Sequence, residues 1–178
     1  MSMTISHHLF EAFLKCPTKC YLRSLGETGT ENAYANWVWT QNESYCSDGI
    51  KRLIEGVAPD EFAVAPPGIE NLKTAKWRLA VNLVARAHNL ESSIHAVERV
   101  PSEGQGHPVQ FIPIRFIFTN KLTRHDKLLL AFDVFILSEM LNLDIGFGKI
   151  IHGDNQAMLK VKTSSLRSEV QKLTAKIA

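Results

Sequence analysis

A chain of 178 residues with 45% hydrophobic content can bury one sizeable core but is short for two, so a single domain over residues 1–178 is expected. Twenty basic and 18 acidic side chains leave a formal charge of +2, which excludes a strong global field and leaves only a local patch for any nucleic-acid contact. No apolar run approaches the roughly 20 residues of a membrane span, the start lacks a basic-then-apolar leader, and three cysteines make no disulfide framework. A cytoplasmic protein with reduced thiols and no membrane partner is expected.

The first element is a helix over Ser6 to Leu25, with Ser6 as N-cap, Leu9, Phe10, Phe13 and Leu14 at helical spacing, and Pro17 as a break. A second helix, from about Glu31 to Glu55, carries Trp37, Val38, Tyr45, Ile50, Leu53 and Ile54 and stops at Gly56. Ala58 to Gly68 holds three prolines and reads as a loop with at most a short edge strand. From Trp77, Leu79, Val81 and Leu83 alternate with Arg78, Ala80 and Asn82 as in a half-buried strand, and Ser93 to Val100 follows as a second. Pro101 to Pro108 is turn-rich and leads into the apolar strand Val109 to Phe118, which completes an antiparallel meander. Thr123 caps a helix with Asp126 at its third position and a wide apolar face of Leu128, Leu129, Phe132, Phe135, Ile136 and Met140. Two short strands, Ile145 to Ile151 and Ala157 to Val161, join at the turn Gly153 to Gln156, and a helix from Ser164 to Ala178 closes the chain. The class is mixed α/β, with a helical part over 1–57 and a sheet core with flanking helices over 77–178.

Three phrases, taken in order, resemble the RecB-like branch of the PD-(D/E)XK nucleases, including the exonucleases of CRISPR adaptation. They are Ser6 to Leu22, where a serine opens a helix and Cys16 precedes Pro17 and a basic residue; Phe111 to Phe116; and Asp126 to Met140 followed by Gly146 to Gly153. The resemblance runs from about residue 5 to the end. It implies a restriction-endonuclease-like core, a mixed sheet with a central antiparallel hairpin between helices, and DNA as partner, beside a helicase or a CRISPR component. It also implies magnesium or manganese, held by an Asp on one strand and a Glu-x-Lys on its hairpin partner, to activate a water for phosphodiester attack.

The positions that match this site are His95 for the Asp, Arg115 for the Glu and Ile117 for the Lys, and none keeps the required type. An arginine at a ligand position sets a permanent positive charge where a cation must bind. The family's DNA-contacting glutamine falls at Leu129, and the second helix offers Gln41, Asn42 and Tyr45 where a metal-binding histidine is expected. Cys16 matches the first cysteine of the family's iron–sulfur cluster, but the later group of three is missing, so no cluster is expected in this chain alone unless a partner chain or a missing C-terminal portion supplies the rest. The catalytic site therefore reads as eroded. The two functions that follow are a RecB-like nuclease or its degenerate descendant, and a non-catalytic DNA-binding or partner-docking subunit.

Each sharper reading has a plainer rival. Cys16 and Cys20, four apart, can share a helix face and a metal, but buried structural thiols are commoner. His7 and His8 read as decoration of the first helix rather than ligands. Glu98 on a central strand suggests chemistry, and a pair with Arg99 or Arg115 across the hairpin is the commoner outcome. Asp133 and Glu139 do not share a helix face and are read as solvated. Lys149, Lys160, Lys162, Arg167, Lys172 and Lys176 make the last third basic, either a DNA-facing patch or a solvated surface. Trp37, Trp39 and Trp77 can stack bases, though tryptophan more often anchors a core.

Overall fold

The computed structural model describes residues 3–29, 32–66, 72, 74–101 and 109–178. Among these, seven strands form one mixed sheet: β1 (Ile5–Ser6), β2 (Phe62–Val64), β3 (Leu79–Ala87), β4 (Leu90–Val100), β5 (Gln110–Ile117), β6 (Phe147–His152) and β7 (Ala157–Lys162). The helices are α1 (His7–Lys15), α2 (Pro17–Ser24), α3 (Ala33–Glu55), α4 (Arg124–Leu141) and α5 (Arg167–Ile177). The mixed α/β class read from the sequence is correct. Most of the turn-rich stretch, 102–108, and Pro67 and Gly68 lie outside the described residues. No helix among the described residues is long and apolar enough to cross a membrane.

Local chemistry sets the helix ends where the sequence puts them. The Ser6 hydroxyl accepts from the Leu9 amide, and Pro17 ends α1 and opens α2 at its first turn, where its missing N–H costs nothing. Thr123 and Asp126 form a reciprocal capping box at the start of α4, and Asn142 closes that helix in the left-handed conformation.

The sheet runs β2-β3-β4-β5-β6-β7. β3, β4 and β5 form the expected antiparallel meander; α4 then crosses over to β6, parallel to β5, and β7 returns antiparallel as the outer edge. β1 pairs with Leu90 and Glu91, while β5 pairs with β4 only from Ala96 onward. Among the described residues, no strand pairs with residues 92–95 of β4 on that side.

Two cores lie on the two faces. On one face α4 packs across β3 to β6 and also touches α1 and α5; Phe132 stacks on Phe10 with ring centroids 4.4 Å apart. Flanked on so many sides, α4 buries Leu128 to Val134 without interruption, so its apolar surface is wider than the face read from spacing. On the other face α3 covers β3, β4 and β5 with Tyr45, Cys46, Ile50 and Leu53 against Leu79, Val81, Ile114 and Phe116. α3 approaches so closely that a Cβ on Gly49 would stand 2.3 Å from the Phe116 ring. Gly49→Ala should therefore destabilise the fold by about 1–3 kcal/mol, the range for overpacking, seen as a lower urea midpoint at unchanged slope; a neutral change would show that α3 shifts freely.

One correction concerns alternation. Leu79, Val81 and Leu83 are all buried as expected, yet Leu79 and Val81 face α3 whereas Leu83 and Ala85 face the α4 side. The switch falls at Asn82, which adopts φ +53 and drops out of the ladder opposite His95. Beyond it the α4 side receives Ile94 from β4, and before it Val97.

Candidate functional site

The break in pairing beside β4 is where the chemistry gathers. β5 leaves β4 after the Ala96–Ile114 pair and turns toward β6, while β1 and the start of α1 take the other end of the gap. Backbone amides left without a strand partner must bond elsewhere. The Phe116 N–H donates to His95 Nδ1 at 3.0 Å, and the Ser93 N–H donates to His7 Nδ1 at a long 3.5 Å. Two imidazoles thus stand in for ladder carbonyls.

Arg115 fills the same gap from β5, one register position past Ile114, with its side chain on the α4 side. Its Nε donates to Asp133 Oδ2 and its Nη2 to Asp133 Oδ1, both at 2.9 Å, and the Ser92 hydroxyl donates to Oδ1 at 2.5 Å. The pair is bidentate and almost dry, with Asp133 only 1% exposed. Burial pushes the Asp133 carboxyl up; the guanidinium and the Ser92 hydroxyl oppose it. Because the guanidinium cannot shed its proton, a neutral Asp133 would strand a buried cation, and the ion pair is the stable form.

The charge of Arg115 also acts on its neighbours. His95 is lowered to about 3 by burial, then by Arg115 and His7; His7 is lowered to about 3 by burial, then by His8 and Arg115. Both rings are held neutral, as their acceptor roles require. Cys46, packed on the α3 face of the sheet, is pushed to about 11 by burial and then by Glu43, with Arg115 opposing, so it is a thiol and not a thiolate.

The residues read from sequence are therefore divided. His95 and Arg115 do come together, and Ile117 ends β5 partly buried. Glu98 does not join them: it lies on the opposite, α3 face, bonded to Lys149 at 2.5 Å beside a cleft of about 320 Å³ lined by Leu53, Val57, Arg78 and Arg99. The expected pairing of Glu98 with Arg99 or Arg115 is thus wrong. Two strands away, Lys149 is its partner, and Arg115 is taken by Asp133. Asp133 is itself a correction, since it is buried rather than solvated; Glu139 pairs with Arg167 at 2.7 Å. Ser92 was missed altogether, and His7, read as decoration of the first helix, instead accepts from the Ser93 amide.

For a metal, the gap offers little. Both oxygens of Asp133 are spoken for, Arg115 occupies the place of a cation, and no group of three metal-ligating side chains exists among the described residues. Cys16 is exposed and Cys20 buried, so the two do not face a common site. Trp77 is a core anchor as base rates suggest, whereas Trp37 and Trp39 are 52% and 63% exposed. Lys149, Lys160 and Lys162 share one face of the β6–β7 hairpin, the same face as Phe147, over whose ring Lys160 Nζ sits at 3.9 Å.

No protein-family model matches this chain, and no curated protein matches it. It is similar to the solved structure of SSO0001 at 8% identity, over 75% of this chain and 85% of that one, with a TM-score of 0.32.

Proposed function

We propose that this chain is a non-catalytic relative of the RecB-like nucleases, retaining a restriction-endonuclease-like scaffold to bind DNA or a protein partner without cutting the DNA. The reading rests on one observation: the bidentate Arg115–Asp133 pair, closed by Ser92, fills the gap between β4 and β5 where the resemblance puts the metal. A phosphodiester-cleaving centre of that kind needs carboxylate oxygens free to hold a divalent ion, which then supplies several kcal/mol to the transition state. Here an internal guanidinium plays the cation's electrostatic part without offering a water to activate. The mixed sheet, with its central hairpin and helices on both faces, is compatible with the scaffold. Of the two sequence readings, a RecB-like nuclease or its degenerate descendant and a non-catalytic DNA-binding or partner-docking subunit, the occupied carboxylate speaks against an active nuclease and favours the second.

The test is a time course on labelled single- and double-stranded DNA with magnesium or manganese. No metal-dependent product is expected from the wild type. Product that accumulates with either metal and disappears in Glu98→Ala would mean that a centre has been rebuilt around Glu98, and the proposal would fail.

A further inference from the structure

We infer that the α3-facing surface of β6 and β7, together with the aromatic end of α3, is a binding track for single-stranded nucleic acid, on the opposite side of the sheet from the Arg115 gap. This deepens the non-catalytic reading above by giving it a ligand class and a surface.

α3 packs across β3, β4 and β5, and the same face of β6 and β7 beyond it is only partly covered. Register sets what that strip displays. Phe147 pairs with Lys162, Lys149 with Lys160 and Ile151 with Met158, so all six side chains point the same way. Met158 is 64% exposed, and Lys160 and Lys162 are exposed. Lys162 has no ion-pair partner among the described residues, and Lys160 has only the Phe147 ring. Lysines two residues apart on a strand recur every ~7 Å, a row of positive charge along one direction.

The aromatic end lies by the turn of the same hairpin. Tyr34 and Trp37, one helical turn apart, stack with centroids 6.1 Å apart, and Trp37 meets Phe118 edge-on at 6.3 Å. Phe118 directly follows β5, where the Gly153 N–H donates to the Ile117 carbonyl, and the Tyr45 hydroxyl donates to the Gly153 carbonyl. Tyr34 is 72% exposed, so ring surface faces solvent at the turn end of the hairpin, with Met158 and then the two lysines following along β7 at ~3.3 Å per residue.

Lysines at one end of a strip and exposed rings at the other match an extended strand whose phosphates carry charge and whose bases offer faces to stack on. A duplex hides those faces, so it would meet the lysines with its phosphates and leave the exposed rings unused. An acidic peptide would answer the lysines but leave the rings unused.

The experiment measures fluorescence anisotropy of a 5′-labelled oligothymidylate and of a labelled duplex, with the full chain, in EDTA and over a salt series. Binding of the single strand in preference to the duplex is expected, with log K falling against log salt at a slope near −1.4, for about two neutralised phosphates. Lys160→Glu with Lys162→Glu should weaken binding at least ~10-fold and flatten the slope. Trp37→Ala should weaken it roughly 10-fold at an unchanged slope. Both variants alter exposed side chains, and circular dichroism checks that they fold. Failure of the wild type to bind the oligonucleotide at low salt, equal binding by the variants, or equal competition by polyglutamate would each overturn the inference. Repeating the series with magnesium separates the two readings: cleavage with binding intact sinks the non-catalytic proposal alone, whereas absence of binding sinks only this track.

Discussion

Asp133→Ala is expected to cost about 3–5 kcal/mol of folding stability, the largest single effect of any polar substitution in this fold. The reason is the cation left behind. Arg115 is buried, cannot lose its proton, and directs two donors at the carboxylate that would be gone. For a domain with a total stability of roughly 5–15 kcal/mol, such a loss brings the chain close to unfolding. The paired replacement Arg115→Met with Asp133→Leu removes both charges and should recover most of that loss, because apolar side chains of similar volume pack without a desolvation penalty. Urea unfolding of Arg115→Met, Asp133→Leu and the double variant completes the cycle. A single variant within about 1 kcal/mol of wild type would indicate a solvated pair, contrary to the burial seen here.

Acid should destabilise the fold well above the range where carboxylates titrate. His95 and His7 are both lowered to about 3, from an ordinary value of 6.5. Between those two values the unfolded chain binds protons that the folded chain refuses, so stability falls as pH drops through the window and is fully present above pH 6.5. From pH 6.5 to 5 the loss approaches ~2 kcal/mol for His95, and less for His7, which stands at the chain's first helical turn nearer to solvent. Unfolding midpoints at pH 7, 6 and 5 report it directly. His95→Gln keeps an acceptor in place of the titrating ring and should make the fall shallower. Equal slopes for wild type and variant would mean that the ring readily leaves the Phe116 amide on protonation.

Much of this architecture could be read in advance, and the parts that could not share a cause. The caps at Ser6 and Thr123, the break at Pro17 and the meander from Leu79 to Ile117 are fixed by local chemistry, so spacing alone locates them to within a few residues. The Arg115–Asp133 pair is not local. Its members lie 18 residues apart on a strand and a helix, and only the packing of α4 on β5 brings them together. A signal existed nonetheless: the run Leu128 to Leu137 has no polar side, and a charge set in such a helix has to be paired. The alternation of β3 was visible but its switch was not, because the left-handed turn at Asn82 inverts the pattern without adding or removing a residue. His7 escaped because helix-start histidines are ordinarily solvated, and the amide that it accepts from is 86 residues away.

The outer edge of β7 bears on how evolution would act on this surface. An unpaired strand edge invites other chains to add to it, and lysine side chains are a common guard against that. Lys160 and Lys162 sit on the edge strand itself, next to exposed Met158 and Leu159. Selection against aggregation would therefore preserve them whether or not any ligand is bound. Persistence of these lysines in a distant homologue would say little about nucleic acid, whereas a ring kept at position 37, which guards no edge, would be the informative trace.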